Sequence, residues 1–323
     1  MSDSLPRAVL AAHYPRRDVT ALEPIADGNR RETVVAWFAA APPVVVQWTP
    51  AVDRLEVEAA LMGAIRARTA VPVPETLAVG TKRGVGYAVR EHRAGGSLHT
   101  VFTSLAPEPR ARLVREFGRY LGELHAAFPV DGAGRVSVTG ATVGDGSDAE
   151  RGARRFTAPS VDSGEWLAEY GDAALERLPA AFEPVIERGR DCIESAADRP
   201  TASPRLFPWD LRPGNALVAG TDITAVVDWE GPLAAPPGLA VAKACYLTAE
   251  WYDVDAAGLR REFRRGYESV RAWPEVRPGD RIVAIADSAV DSSGAVTNPG
   301  YPPYDREGAV EFHREALERA VPE

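Results

Sequence analysis

The stretch Arg205 to Glu230, RLFPWDLRPGNALVAGTDITAVVDWE, holds three side chains whose types and spacing could do chemistry together. Asp210 and Asn215 stand at the two ends of one loop, and Asp228 follows the apolar run Ile223 to Val227. Pro213-Gly214 is a turn pair, and a residue before proline is pushed out of helical space, so Asp210 to Asn215 reads as a loop. Ala216 to Val218 and Ile223 to Val227 are apolar and partly β-branched, with the hairpin turn Ala219-Gly-Thr-Asp222 between them. Such a hairpin returns Asp228 to the neighbourhood of Asp210 and Asn215. Phosphoryl transfer needs a set of this kind. One carboxylate orients an attacking hydroxyl or accepts its proton, and oxygen ligands hold magnesium against nucleotide phosphates. Taken singly, Asp210 is a turn former and Asp228 a solvated strand end or helix cap. The joint pattern is much rarer by chance than either alone.

An Asp, four intervening residues, an Asn, and a second Asp on the next hairpin is the order of a kinase catalytic loop. The block DLRPGN followed by DWE resembles the aminoglycoside phosphotransferase and choline kinase superfamily, the small-molecule relatives of protein kinases. The closing segment, Tyr301-Pro-Pro-Tyr304 to Phe312-His-Arg-Glu315, resembles archaeal members of that group. The resemblance implies an α+β, bilobal, protein-kinase-like fold. A small five-stranded lobe with one helix would cover residues 1–92, and a larger, mainly helical lobe residues 93–323. It implies Asp210 as catalytic base and Asn215 and Asp228 as metal ligands. The cofactors would be ATP (or another nucleoside triphosphate) and Mg2+, and the acceptor a small hydroxylated molecule.

The elements that must position this set begin with a short helix near Leu5 to His13. Strands at Val19–Ala26 and Thr33–Ala39 flank Asp27 to Glu32, where Gly28 and Asn29 form the turn. Backbone N–H groups at such a turn can approach phosphate, and the family covers its nucleotide here, although no G-x-G-x-x-G pattern is present. Val44 to Trp48 is a third strand. The family usually has Lys or Arg at the position matching Gln47, and that cation pairs the phosphates and a helix Glu. Arg54 to Arg68 reads as that helix. At about 100° per residue Leu55, Ala59, Met62 and Ile65 share one face, Glu58 lies within it, and Glu56 points away to solvent. A carboxylate on a core-facing stripe is costly unless paired, so Glu58 is the candidate structural Glu. Arg30 or Arg31 could replace the charge that Gln47 lacks. Glu75–Gly80 and Val85–Glu91 complete the sheet, with a hinge at Arg90 to Ala94. By resemblance the backbone of Glu91 and His92 meets the adenine.

Helices are expected over Ser97–Leu105, Arg110–Phe128, Glu165–Glu176, Pro179–Ala196, Leu239–Tyr252, Leu259–Trp273 and Phe312–Val321. Val130 to Arg154, rich in Gly, Asp and Ser, reads as a mobile excursion. His125 reads as a satisfied helix-end histidine, and Trp166 and Tyr170 as core rather than as a substrate-stacking pair. Several departures from the family surround the loop. Pro208-Trp209 replaces His-Gly, Ala234-Ala-Pro236 replaces Gly-Asp-Pro, and Leu239-Ala-Val241 replaces Asp-Leu-Ala. Loss of loop-bracing aspartates, with the Asp210, Asn215 and Asp228 set retained, fits a divergent phosphotransferase. The alternative is a catalytically silent module that binds nucleotide or metabolite.

With 323 residues, 45% of them hydrophobic, the chain is long enough for a large core split into two lobes. Its net charge of −9 argues against a general nucleic-acid binder. Cys192 and Cys245 sit in apolar helical contexts without metal spacing and read as buried thiols in a reducing compartment. No signal peptide is read at the N-terminus, and the apolar run Val34 to Trp48 is broken by Pro42-Pro43 and too short to span a bilayer. The expectation is a cytoplasmic protein, monomeric or weakly dimeric, without membrane or nucleic-acid partners.

Overall fold

The computed structural model describes residues 4–25, 31–139, 155–291, 293–299 and 303–322. It opens with helix α1 (Ser4–His13) and strands β1 (Val19–Pro24), β2 (Glu32–Phe38) and β3 (Val44–Thr49). Helix α2 (Val52–Arg68) and strands β4 (Thr76–Lys82) and β5 (Val85–Glu91) follow. The five strands form one antiparallel sheet in the order β1-β2-β3-β5-β4.

Side chains alternate across a strand, and this decides what each face of the sheet carries. Val44, Val46 and Trp48 of β3, with Tyr87 and Val89 of β5, pack with Val9 and Leu10 of α1. Gln47 and Arg90 stand at the alternate positions and point to the other face, toward α2. Thr33 is the register partner of Gln47, and Arg31, two residues earlier, continues that face. Helix α2 buries Leu55, Glu58, Ala59, Met62 and Ile65, the stripe expected from its period, while Glu56 is only partly exposed.

Beyond the sheet the chain passes through β6 (Gly96–Ser97) into α3 (Leu98–Val101), a 3-10 turn, and the long helix α4 (Pro107–Ala127). The expected excursion opens with β7 (Gly134–Arg135) and β8 (Ser137–Thr139), β9 (Arg155–Thr157) follows it, and residues 140–154 lie outside the described ones. Helices α5 (Ser163–Glu176), α6 (Glu183–Ala197), α7 (Pro237–Cys245), α8 (Ala256–Glu268), α9 (Pro278–Ala289) and α10 (Arg306–Ala320) build the rest. Helices α4 and α8 touch through glycine: a Cβ on Gly118 would meet the Phe263 carbonyl oxygen at 1.9 Å.

Two helical expectations change. The run Leu239–Tyr252 is helical only to Cys245 and then widens into a π-helical turn, Tyr246–Glu250. Helix α9 was not expected at all. It starts at Pro278, where proline is tolerated because its missing N–H has no helical partner, and Asp280 accepts from the Arg277 amide at 2.9 Å.

Candidate active site

Strands β10 (Arg205–Phe207), β11 (Ala216–Ala219), β12 (Asp222–Val226) and β13 (Leu233–Ala235) position the loop residues. β11 and β12 form the expected antiparallel hairpin, and β10 pairs with β13, Arg205 opposite Ala235. The β10–β11 loop, with Asp210, is therefore laid beside the β12–β13 loop, with Asp228. The Val227 amide donates to the Asn215 carbonyl at 2.8 Å and fixes the two loops together.

Within this frame Asn215, buried, donates from Nδ2 to the Asp210 carbonyl at 2.9 Å and to the Asp210 carboxylate at 3.0 Å. Arg212 Nε lies 3.0 Å from the other Asp210 oxygen. Asp228 has φ of +61°, a left-handed backbone that a short polar side chain tolerates better than most. Trp229 holds that bend by donating from its indole to the Val226 carbonyl at 2.9 Å. Burial pushes the Asp228 carboxyl up to about 6; Glu58 and Asp210 add to the rise and Arg31 opposes it. Asp228 thus sits where negative charge is in excess.

Glu58 is 2% exposed and faces the same cleft. Its partners are arginines, as its burial demands. Arg31 forms an ion pair with it, and Arg90 lies 3.2 Å away. Arg31 also reaches Glu230 at 3.2 Å. Burial works against charge on Arg31, but Glu58 and Glu230 together hold its pKa above the ordinary value. Gln47 makes no contact of this kind; its amide donates to Thr33 Oγ1 at 3.4 Å. The sequence pointed to Arg30 or Arg31 as the replacement cation; Arg31 is on Glu58, and Arg30 lies outside the described residues. Arg90 was missed, although alternation along VGYAVRE places one charge on the face opposite Tyr87 and Val89. Glu91 is committed to local pairing: its amide donates to the Glu75 carbonyl at 2.8 Å and its carboxylate lies 3.2 Å from Arg93. His92 packs on Trp37, ring centroids 5.6 Å apart. Gly28 and Asn29 lie outside the described residues.

The residue before Asp210 has a second unexpected setting. Trp209 has φ of +32°, rare for a bulky side chain and costing on the order of 1–3 kcal/mol unless its surroundings fix it. Its indole donates to Asp287 at 2.8 Å and to the Tyr170 hydroxyl at 2.9 Å, and the Lys243 ammonium stands 4.3 Å from its ring centre. Tyr170 donates to Asp287 at 2.7 Å, and Lys243 and Arg177 are ion-paired with it. Burial alone would raise the Asp287 pKa, but Lys243, Tyr170 and Arg177 bring it down to about 2. Tyr170 also stacks on Trp166, centroids 4.8 Å apart, so the aromatic pair does serve packing. His125 is buried and its Nδ1 is bonded to the Tyr267 hydroxyl at 2.8 Å, but its Nε2 has no hydrogen-bond partner among the described residues, so the histidine expected to be satisfied is satisfied on one nitrogen only.

Residues 21–278 match the model of the phosphotransferase enzyme family. The chain belongs to that family. No curated protein sequence matches it. Among solved structures, this phosphotransferase is similar to aminoglycoside phosphotransferase APH(4)-Ia, with TM-score 0.67 and 13% identity over 99% of this chain and 98% of that one. A thermostable mutant of APH(4)-Ia in ternary complex with ADP and hygromycin B gives 0.66 and 13%, over 98% of both chains. The GDP and kanamycin complex of APH(2")-IIIa gives 0.61 and 13%, over 98% of both chains. At that identity the likeness is one of fold. It matches the phosphotransferase to the bilobal, kinase-like architecture that the sheet and the helical C-terminal part display. No helix among the described residues of the phosphotransferase is long and apolar enough to cross a membrane.

Proposed function

We propose that this phosphotransferase moves the γ-phosphoryl group of ATP, or another nucleoside triphosphate, to a hydroxyl of a small molecule. The observation that carries the reading is the joining of Asn215, Asp210 and Asp228 by two loops, with the Asp228 carboxyl raised by burial and by neighbouring carboxylates. A buried carboxylate among carboxylates is stabilised by a cation, so the residues fit a divalent metal. Among the described residues no group of three or more His, Cys, Asp or Glu is arranged to hold a metal unaided. Asp228 and Asn215 would therefore share the ion with phosphate oxygens and water, as magnesium usually is held. Magnesium would neutralise phosphate charge and orient the transferred group.

The chain's own residues would then act as follows. Asp210 orients the acceptor hydroxyl and takes its proton from the oxygen, while Asn215 holds the Asp210 carboxylate in place. Arg31 supplies the positive charge that Gln47 does not, anchored by Glu58 on one side and Glu230 on the other. The connector after β5 would carry the base, with the lobes dividing near residues 92 and 93. Relatives of the same fold have been solved with ADP or with GDP, so both triphosphates are candidates here.

Titration of wild type with MgATP and MgGTP, followed by turnover on a panel of aminoglycosides, amino alcohols and sugars, tests the reading. Asp228→Ala should abolish magnesium-dependent nucleotide binding. Asp210→Asn should leave binding nearly intact and reduce turnover by about 10²–10⁴-fold, the usual worth of a positioned acid–base group. If wild type binds MgATP but phosphorylates nothing, and Asp210→Asn changes nothing, the chain is a silent binder. If wild type binds no nucleotide at all, both readings fall.

A further inference from the structure

A second concavity lies away from Asp210. It is a cavity of about 420 Å³ between α7, the π-helical turn, α8 and α9, with Trp273 and Val276 also in its lining. That volume is in the range of small-molecule sites, roughly 300–1,000 Å³. None of its lining residues is Asp210, Asn215, Asp228 or a member of the Glu58 cluster.

Its lining combines apolar and cationic side chains. The wall is apolar, with Val241, Tyr246, Trp273 and Ile285. Four arginines also line it, Arg260, Arg261, Arg264 and Arg281, against one acid, Glu250. This lining carries a net charge of +3, in a chain whose total is −9. Among the described residues, local pairing engages three of the four arginines and leaves Arg261 over, with one acid of the lining shared between two of them. Glu250 is shared by Arg260 at 3.3 Å and Arg281 at 3.9 Å. Arg264 is bonded to Glu268 at 2.8 Å and lies over the Trp273 ring at 5.5 Å. Arg261 has no ion pair or hydrogen bond among the described residues. Guanidinium forks beside an apolar wall with an aromatic face suit a carboxylate, sulfonate or phosphate ester on a hydrophobic body. The π-helical turn lines the same cavity through Tyr246 and Glu250, and π-bulges occur frequently at functional sites. The thiol of Cys245, also in the lining, is pushed up to about 12 by burial first and Glu250 second, so it is no nucleophile.

We propose that this cavity is a binding site for an amphipathic organic anion, separate from the nucleotide cleft. The site is independent of the phosphoryl-transfer reading, but it is not isolated from the catalytic loop. At 100° per residue, Lys243 points away from Val241 and Cys245 on α7, and Asp287 points away from Ile285 on α9. One face of this helix pair therefore holds Trp209 and the other lines the cavity. An occupant that shifts either helix reaches the residue next to Asp210.

The probe for a first test is anilinonaphthalene sulfonate, which joins an aromatic body to one anionic group and fluoresces when its surroundings are apolar. Wild type should bind it saturably at one site, and saturating MgATP should not displace it. Arg261→Glu, on the exposed face of α8, should weaken binding at least tenfold with an unchanged melting curve. Ala242→Leu should weaken it by filling the cavity. The uncharged analogue N-phenylnaphthylamine should bind at least tenfold more weakly than the sulfonate. Decanoate should compete with the probe. Displacement by MgATP would place the probe in the nucleotide cleft and overturn the proposal. Equal binding of the uncharged analogue, indifference to Arg261→Glu, or absence of saturable binding would each overturn it as well.

Discussion

Glu58 and Asp287 are both 2% exposed carboxylates ringed by cations, one on the sheet side of Asp210 and the other on the helical side. They differ in how completely their surroundings close. Asp287 collects Lys243, Arg177, Tyr170 and Trp209, all from the helical part, and its charge is the common acceptor of a finished network. Glu58 shares its cations. Arg31 divides itself between Glu58 and Glu230, and the Nε groups of Arg31 and Arg90 have no hydrogen-bond partner among the described residues. A closed network fixes a backbone, here the strained Trp209 beside Asp210. An open one keeps donors that an incoming anion can satisfy, and unsatisfied buried donors cost free energy until it arrives. The two clusters should therefore answer differently to mutation and to nucleotide.

The largest effect is expected at Asp287. Asp287→Ala leaves the buried ammonium of Lys243 without a counter-charge, and breaking a buried pair from one side costs about 3–5 kcal/mol. Denaturant unfolding at neutral pH should show a loss of that order. Saturating MgATP should not reduce the gap, because this network lies on the helical side of Asp210, away from the Glu58 cluster proposed to meet the phosphates. The effect has a defined pH window. The Asp287 pKa falls from an ordinary 3.8 to about 2 in the folded chain. A depressed folded pKa contributes stability that is complete above the unfolded value and is lost as pH falls through the folded one. The gap between wild type and Asp287→Asn should thus hold above about pH 4 and close toward pH 2. A gap that persists undiminished at pH 2 would mean that packing, and not the charge, holds Trp209.

A smaller and ligand-sensitive effect is expected at Glu58. Glu58→Gln keeps the shape and removes the charge, but Arg31 retains Glu230. Loss of hydrogen bonds to charged groups puts the cost at about 1.5–3 kcal/mol. If the open cluster receives phosphates, the melting gap between Glu58→Gln and wild type should narrow in saturating MgATP. A gap unaffected by MgATP would make the Glu58 cluster as closed as that of Asp287 and remove the contrast between them.

Much of this was legible in the sequence, for physical reasons that differ by region. The catalytic hairpin was readable because Pro213-Gly214 and the β-branched run Ile223 to Val227 specify their own local conformation. The burial of Glu58 followed from helical period alone. What escaped depended on long-range pairing. The β10–β13 ladder joins residues whose pairing no local pattern announces, since Leu233 to Ala235 is too short to read as a strand. The Asp287 network draws on α5, α7, α9 and the catalytic loop, and only the assembled packing brings them together. A partial signal did exist: Lys243, one of two lysines in the chain, sits within the apolar run LAVAKACYL. An ammonium there must be buried with a partner, and the acid in the apolar run IVAIADSAV was the one to seek.

The finest test of the contrast lies at Gln47, where the expected effect is the smallest. The sheet puts residue 47 on the same face as Thr33 and Arg90, facing α2. A lysine introduced there would approach a carboxylate already held by Arg31 and Arg90. Gain from Glu58 is offset by repulsion from two resident cations, so Gln47→Lys alone should change MgATP affinity by less than about threefold. The same substitution should matter once the resident charge is removed. Arg31→Ala should weaken MgATP binding by roughly tenfold or more, the worth of a charge-assisted hydrogen bond. Gln47→Lys in the Arg31→Ala background should then recover most of that loss, because the new ammonium has Glu58 to anchor it and one competitor fewer. Titration calorimetry at fixed magnesium on the four proteins of this cycle measures the coupling directly. Simple additivity of the two substitutions would show that residues 31 and 47 do not serve one phosphate site, and that the cation of this cleft comes from elsewhere.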